Sequence, residues 1–172
     1  MSLLTRLLGR PDPAQEQVRP LWHRVVEIAR EPQWYSKGGI ADTVPGRFDA
    51  IALVMALVML RMERDEALSA PSGRLTELFV EDMDGQLRQT GLGDLVVGKH
   101  VGKLMGALGG RIDAFRAGLA QADDGVLMAA IERNVSFGEA GMPAAIAREM
   151  RVLSAALADL TDDDLLAGRI VR

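Results

Sequence analysis

Apolar positions recur along this chain at the three-to-four-residue spacing of amphipathic helices. No stretch shows the two-residue alternation with hairpin turns that marks sheet strands. Leu21, Val25, Ile28 and Ala29 form one apolar stripe, which predicts a helix over 14–30 that Pro20 kinks or restarts. Leu75, Leu78, Phe79, Met83 and Leu87 form a second stripe, with Glu77, Glu81, Asp84 and Arg88 on the opposite face, and predict a helix over 74–89. Between them, Ile51 to Leu60 is apolar on every face. A helix of that kind is surrounded by protein or spans a membrane, and the whole uninterrupted run, Ala50 to Leu60, is 11 residues, too short to span. It reads as a buried central helix at about residues 48–64, with Asp49 in the first turn, where a carboxylate suits the helix dipole.

The breakers divide the rest. Pro11 and Pro13 end an N-terminal segment. Pro32, Gly38, Gly39, Pro45 and Gly46 make 31–46 a loop, and Pro71 to Gly73 break the chain again. Trp34 and Tyr35 lie in the first of these loops, with Trp22 and Phe48 beside it. Such rings either pin a loop to the core or stand out as a binding platform, and ring burial favours pinning. Gly91-Leu92-Gly93 stops the helix before it, and Asp94 is the N-cap of a long helix over 95–121. Helices over 125–134 and 143–160 follow. Thr161 then caps a short last helix whose first turn holds Asp162, Asp163 and Asp164. The expected fold is all-α: a single compact bundle of about six or seven helices around the central one. Residues 1–13 form a short N-terminal amphipathic segment and 14–172 a single helical domain.

Composition narrows the function. The 172 residues are 48% hydrophobic and 26% charged, as in an ordinary globular domain, and with only 4% aromatics the core must be Leu, Ala, Val and Met. The absence of cysteine excludes disulfides and thiolate metal sites and points to a reducing compartment. A net charge of −4 disfavours nucleic acid as the main partner. Leu3, Leu4, Leu7 and Leu8 around Arg6 make an amphipathic turn or two without the apolar core of a signal peptide. This segment reads as a helix packed on its own domain, a frayed end or a weak membrane-surface anchor.

Several patterns imitate chemistry. Gly93 to Lys99 matches most of a P-loop, but His100 stands where a magnesium-binding hydroxyl is needed, and a helix precedes where a strand is needed. His23 and His100 have no partner histidine at ligand spacing, and Glu81-Asp82-Met83-Asp84 lacks the spread and turn glycine of a calcium loop. No catalytic residue, cofactor or metal is therefore assigned, and the chain reads as a non-enzyme. Gly98, Gly102, Gly106, Gly110, Ala114 and Gly118 recur every fourth residue. Each glycine costs a helix about 1 kcal/mol against alanine, so the ridge predicts close approach by another helix, either of this domain or of a partner. Lys99, Lys103 and Arg111 on the same helix exclude burial in lipid.

The order of short blocks carries a resemblance. Tyr35 after a proline-containing turn comes first, followed by Asp42-Thr43 with Gly46-Arg47-Phe48-Asp49. Next come Leu78-Phe79, Asp82-Met83-Asp84, Leu87-Arg88, Gly91 to Leu95, Val97-Gly98-Lys99 and Arg133-Asn134-Val135. Over roughly residues 20–160 this order resembles the ubiquinol–cytochrome c chaperone family. Leu108-Gly109 replaces a common aromatic pair before Gly110-Arg111, and Gly102 replaces a common lysine, so the family's contacts at those positions are not carried over. The resemblance implies a chaperone-like domain that binds newly made cytochrome b, a membrane-protein client, and supports assembly of ubiquinol–cytochrome c reductase without catalysis. It leaves a second assembly factor open as a further partner. Compact size and the lack of a transit segment lead to the expectation of a bacterial member at the cytoplasmic face, with at most peripheral contact with the inner membrane. The residues expected to bind the partner are Tyr35, Arg47, Asp82, Asp84, Arg88, Asp94, Lys99, Lys103 and Arg111. An enzyme whose residues converge only in three dimensions and a general helical interaction or regulatory module are the competing classes.

Overall fold

The computed structural model describes residues 13–89 and 97–171, with side chains in 13–86 and 102–171. The N-terminal leucine segment, Gly91 to Gly93 and Asp94 lie outside the described residues. The described chain is helical: α1 (Pro13–Ala29), α2 (Pro32–Ser36), α3 (Val44–Met62), a 3-10 turn (Glu66–Leu68), α4 (Ser69–Gln89), α5 (Val97–Leu119), α6 (Gly125–Asn134), α7 (Pro143–Ala158) and α8 (Asp162–Leu166). The one β-type pairing among the described residues is an isolated bridge between Ile40 and Phe137.

α3 is the expected central helix. Buried residues cover all its faces, from Ala50 through Val58, and it packs against α1, α4, α5 and α7. α6 lies against α5 and α7, and α8 lies against α1. Three boundaries differ from expectation. α3 starts at Val44 because the Thr43 hydroxyl accepts from the Gly46 amide at 3.3 Å and Pro45 sits in the first turn, where its missing N–H costs nothing. Asp49 is thus a turn further in than the dipole position and is buried. Pro71 does not break the chain: α4 begins at Ser69, so this proline falls in the first turn as well. The third difference is α2, a five-residue helix inside the expected loop.

α2 explains how the aromatic loop is pinned. The last carbonyls of a helix have no partner inside it. Trp34 donates from Nε1 to the Ile28 carbonyl at 2.7 Å, and the Tyr35 hydroxyl donates to the Ala29 carbonyl at 3.0 Å. Both rings therefore close the end of α1, and Trp34 is 1% exposed. Trp22 meets Phe79 edge-on with ring centroids 6.1 Å apart, tying α1 to α4. At the far end, Arg61 donates to the Leu157 and Leu160 carbonyls and to Asp162, closing the end of α7 against α3.

Most of the described glycine ridge is not packed against another helix of this domain. A Cβ built on Gly102, Gly106 or Gly110 meets nothing within 4 Å, and these glycines face solvent. Among the ridge glycines whose surroundings are described, Gly118 alone is closely packed: a Cβ there would lie 2.6 Å from the Cα of Leu127, where α6 crosses. The reason is that α5 buries Leu104, Leu108, Arg111 and Phe115, which are offset around the helix from the ridge.

Candidate functional site

Two adjoining concavities mark one face of the bundle. An open cleft of about 720 Å³ lies between α1, α2, α3 and α4, lined by Arg30, Tyr35, Asp42, Arg47, Ile51 and Gln86 among others. A second, of about 520 Å³, runs along α1 and α4 past Trp22, His23, Val26, Leu78, Glu81 and Asp82. Arg30 lines both. Their walls follow from local folding. α2 turns Tyr35 into the first cleft as it closes the end of α1, and the Thr43 cap starts α3 so that Arg47 faces Asp42.

The first cleft is electrostatically structured. Arg47 donates from Nε to Asp42 at 2.7 Å. This bond holds the Asp42 carboxyl below its ordinary value and raises that of Arg47. Burial pushes the Tyr35 phenol up, against the pull of Arg47 and, more weakly, Arg30. Tyr35 therefore stands within the fields of two guanidinium groups. Among the described residues, no group of three or more His, Cys, Asp or Glu is placed to hold a metal ion, and no helix is long and apolar enough to cross a membrane.

The expected partner-binding residues separate into groups. Tyr35 and Arg47 share the first cleft, and Asp82 lies in the second. Asp84 is half-buried on α4, and Lys103 is exposed on α5, outside both concavities. Asp94 and the side chains of Arg88 and Lys99 lie outside the described residues. Arg111 is buried and committed within the fold, so it offers no surface to a partner. Its Nη2 donates to Asp49 at 2.5 Å and to the Asn134 carbonyl at 2.9 Å, and its guanidinium carbon lies 5.5 Å from the centre of the Phe48 ring. The other Asp49 oxygen accepts from the Ser136 amide at 2.8 Å and hydroxyl at 2.7 Å. This buried node anchors the segment that pairs with the connector between α2 and α3: Ala41 donates to the Ser136 carbonyl and Gly138 to the Gly39 carbonyl, both at 2.9 Å. The node thus fixes the strip that carries Asp42 to the cleft.

The structure also accounts for the block Gly46 to Asp49. Gly46 is required because a Cβ there would come within 1.9 Å of the Ala41 carbonyl oxygen. Arg47 faces the cleft, while Phe48 and Asp49 build the node. Arg30 and Gln86 were not singled out from sequence, and Asp42 stood out only as part of a family block, not as a partner-binding residue. Arg30 ends an ordinary helix, and Gln86 is marked only by lying one turn from Asp82.

The family model described as Ubiquinol-cytochrome C chaperone matches residues 36–172. Among solved structures, the crystal structure of the Cbp3 homolog from Brucella abortus superposes with a TM-score of 0.80 at 30% sequence identity, covering 98% of this chain and 95% of that one. No curated protein matches the chain.

Proposed function

The chain belongs to the ubiquinol–cytochrome c chaperone family, and on that premise we propose that it binds newly made cytochrome b and holds it while ubiquinol–cytochrome c reductase is assembled. The supporting observation is the family match over residues 36–172, joined by likeness to a Cbp3 homolog along nearly the whole chain. The role is binding rather than catalysis. Its contact surface is the face bearing the two clefts, with Tyr35, Arg47 and Asp82 on it and Asp84, Arg88, Asp94, Lys99 and Lys103 as further contacts. Exposed ion pairs contribute under about 1 kcal/mol each, so contacts of this kind suit a hold that is later released. The protein acts at the cytoplasmic face of the inner membrane, at most peripherally.

Capture from the native membrane fraction tests this reading. The tagged chain, cross-linked during active synthesis of the complex, should retrieve cytochrome b before haem and partner subunits are in place. Capture of unrelated soluble proteins without cytochrome b would instead favour a general interaction module.

A further inference from the structure

The two clefts differ in charge, and most of that charge is already used. In the second cleft Arg19 is bonded to Glu16 at 2.9 Å, Glu27 to Arg24 at 3.2 Å, and Glu81 accepts from Gln15 at 3.2 Å. In the first, Arg47 spends only Nε on Asp42. The side chains of two charged lining residues, Arg30 and Asp82, make no hydrogen bond or ion pair among the described residues, although both line the second cleft. The surface between them is partly apolar, with Trp22, Val26 and Leu78 in the second cleft and Ile51 in the first.

We propose that the clefts joined at Arg30 form one bipolar groove that takes an extended segment of the client carrying acidic and basic side chains a few residues apart. Arg30 and the unused Nη groups of Arg47 receive the acidic side chain, and Asp82 receives the basic one. On α4 the two clefts adjoin. Gln86 lines the first cleft and Asp82 the second, one turn apart, or about 6 Å along the axis. That length is about two residues of extended chain. A wholly acidic segment would meet Asp82 and Glu81, and a wholly basic one Arg30 and Arg47. The groove therefore selects mixed charge rather than net charge.

The inference rests on the client-binding reading above, and its test separates the two. Three fluorescein-labelled peptides are titrated against the full chain by anisotropy: one with a glutamate pair, a short serine–glycine spacer and a lysine pair, one all-glutamate and one all-lysine over the same positions. The mixed peptide should bind about fivefold tighter than either other, with the preference shrinking as salt rises. Arg30→Glu and Asp82→Lys, checked for unchanged helicity by circular dichroism, should each weaken the mixed peptide about threefold to tenfold. Asp82→Lys should also shift preference towards the acidic peptide. Equal binding of all three peptides, no binding of the mixed one, or indifference to both substitutions overturns the groove. Cytochrome b capture is run in parallel. Capture by the wild-type chain and equally by both variants contradicts the groove and leaves the chaperone reading standing. A mixed-charge preference without any cytochrome b capture supports the groove and contradicts the chaperone reading.

Discussion

Arg111 of α5 donates to Asp49 of α3 across the core at 2.5 Å, and the two side chains are 10% and 9% exposed. Two blocks that are far apart in sequence meet there, and a third, Asn134 to Ser136, completes the set. Removing one member of a buried pair leaves the other charge unpaired, which costs about 3–5 kcal/mol. Arg111→Ala should therefore lower the unfolding free energy by an amount of that order, read as a fall in the urea midpoint. The double change Asp49→Leu with Arg111→Met should be less damaging than either single change. An Arg111→Ala midpoint equal to wild type would show that the node does not hold the fold.

The glycines of α5 should divide sharply. Gly106 has open space where a Cβ would go, so Gly106→Ala should stabilise the helix by about 1 kcal/mol. Gly118→Ala drives a methyl to 2.6 Å from the Leu127 Cα and should destabilise by about 1–3 kcal/mol. Thermal unfolding of both variants checks the pair, and a destabilised Gly106→Ala would mean that the exposed ridge is covered after all.

The cleft ion pair has a defined pH signature. Arg47 holds the Asp42 carboxyl below its ordinary value, so the folded state favours the ionised form. The contribution of the pair is present above the unfolded aspartate value and is lost as pH falls through the lower folded one. In a carboxyl-detected NMR titration, Arg47→Ala should raise the Asp42 midpoint towards that of an ordinary aspartate. An unmoved midpoint would show that the contact with Arg47 does not form in solution.

Much of the fold was legible because helical stripes and breakers act locally. α3 announced itself by an apolar run that only a surrounded helix tolerates, and α6 ends where its pattern ends. Pro71 misled because a proline is a breaker inside a helix and a starter in its first turn, a distinction set by where the cap lies. The glycine ridge packs inside the domain at Gly118 but not at Gly102, Gly106 or Gly110, because spacing gives the face of a helix but not what covers it. The same limit applied to the site. Arg111 and Arg47 look alike in sequence, yet one is locked into the core and the other lines a cleft. Arg30 carried no local signal, because its place between two clefts depends on how α1 packs against α4.

The chaperone account is tested most directly by the spectrum of cytochrome b in a strain lacking the gene. Deletion should lower the reduced-minus-oxidised signal of haem-loaded cytochrome b, together with assembled ubiquinol–cytochrome c reductase. Preassembled complex purified from the wild type should keep its turnover without the protein. Normal cytochrome b spectra and normal reductase levels in the deletion strain would contradict the account.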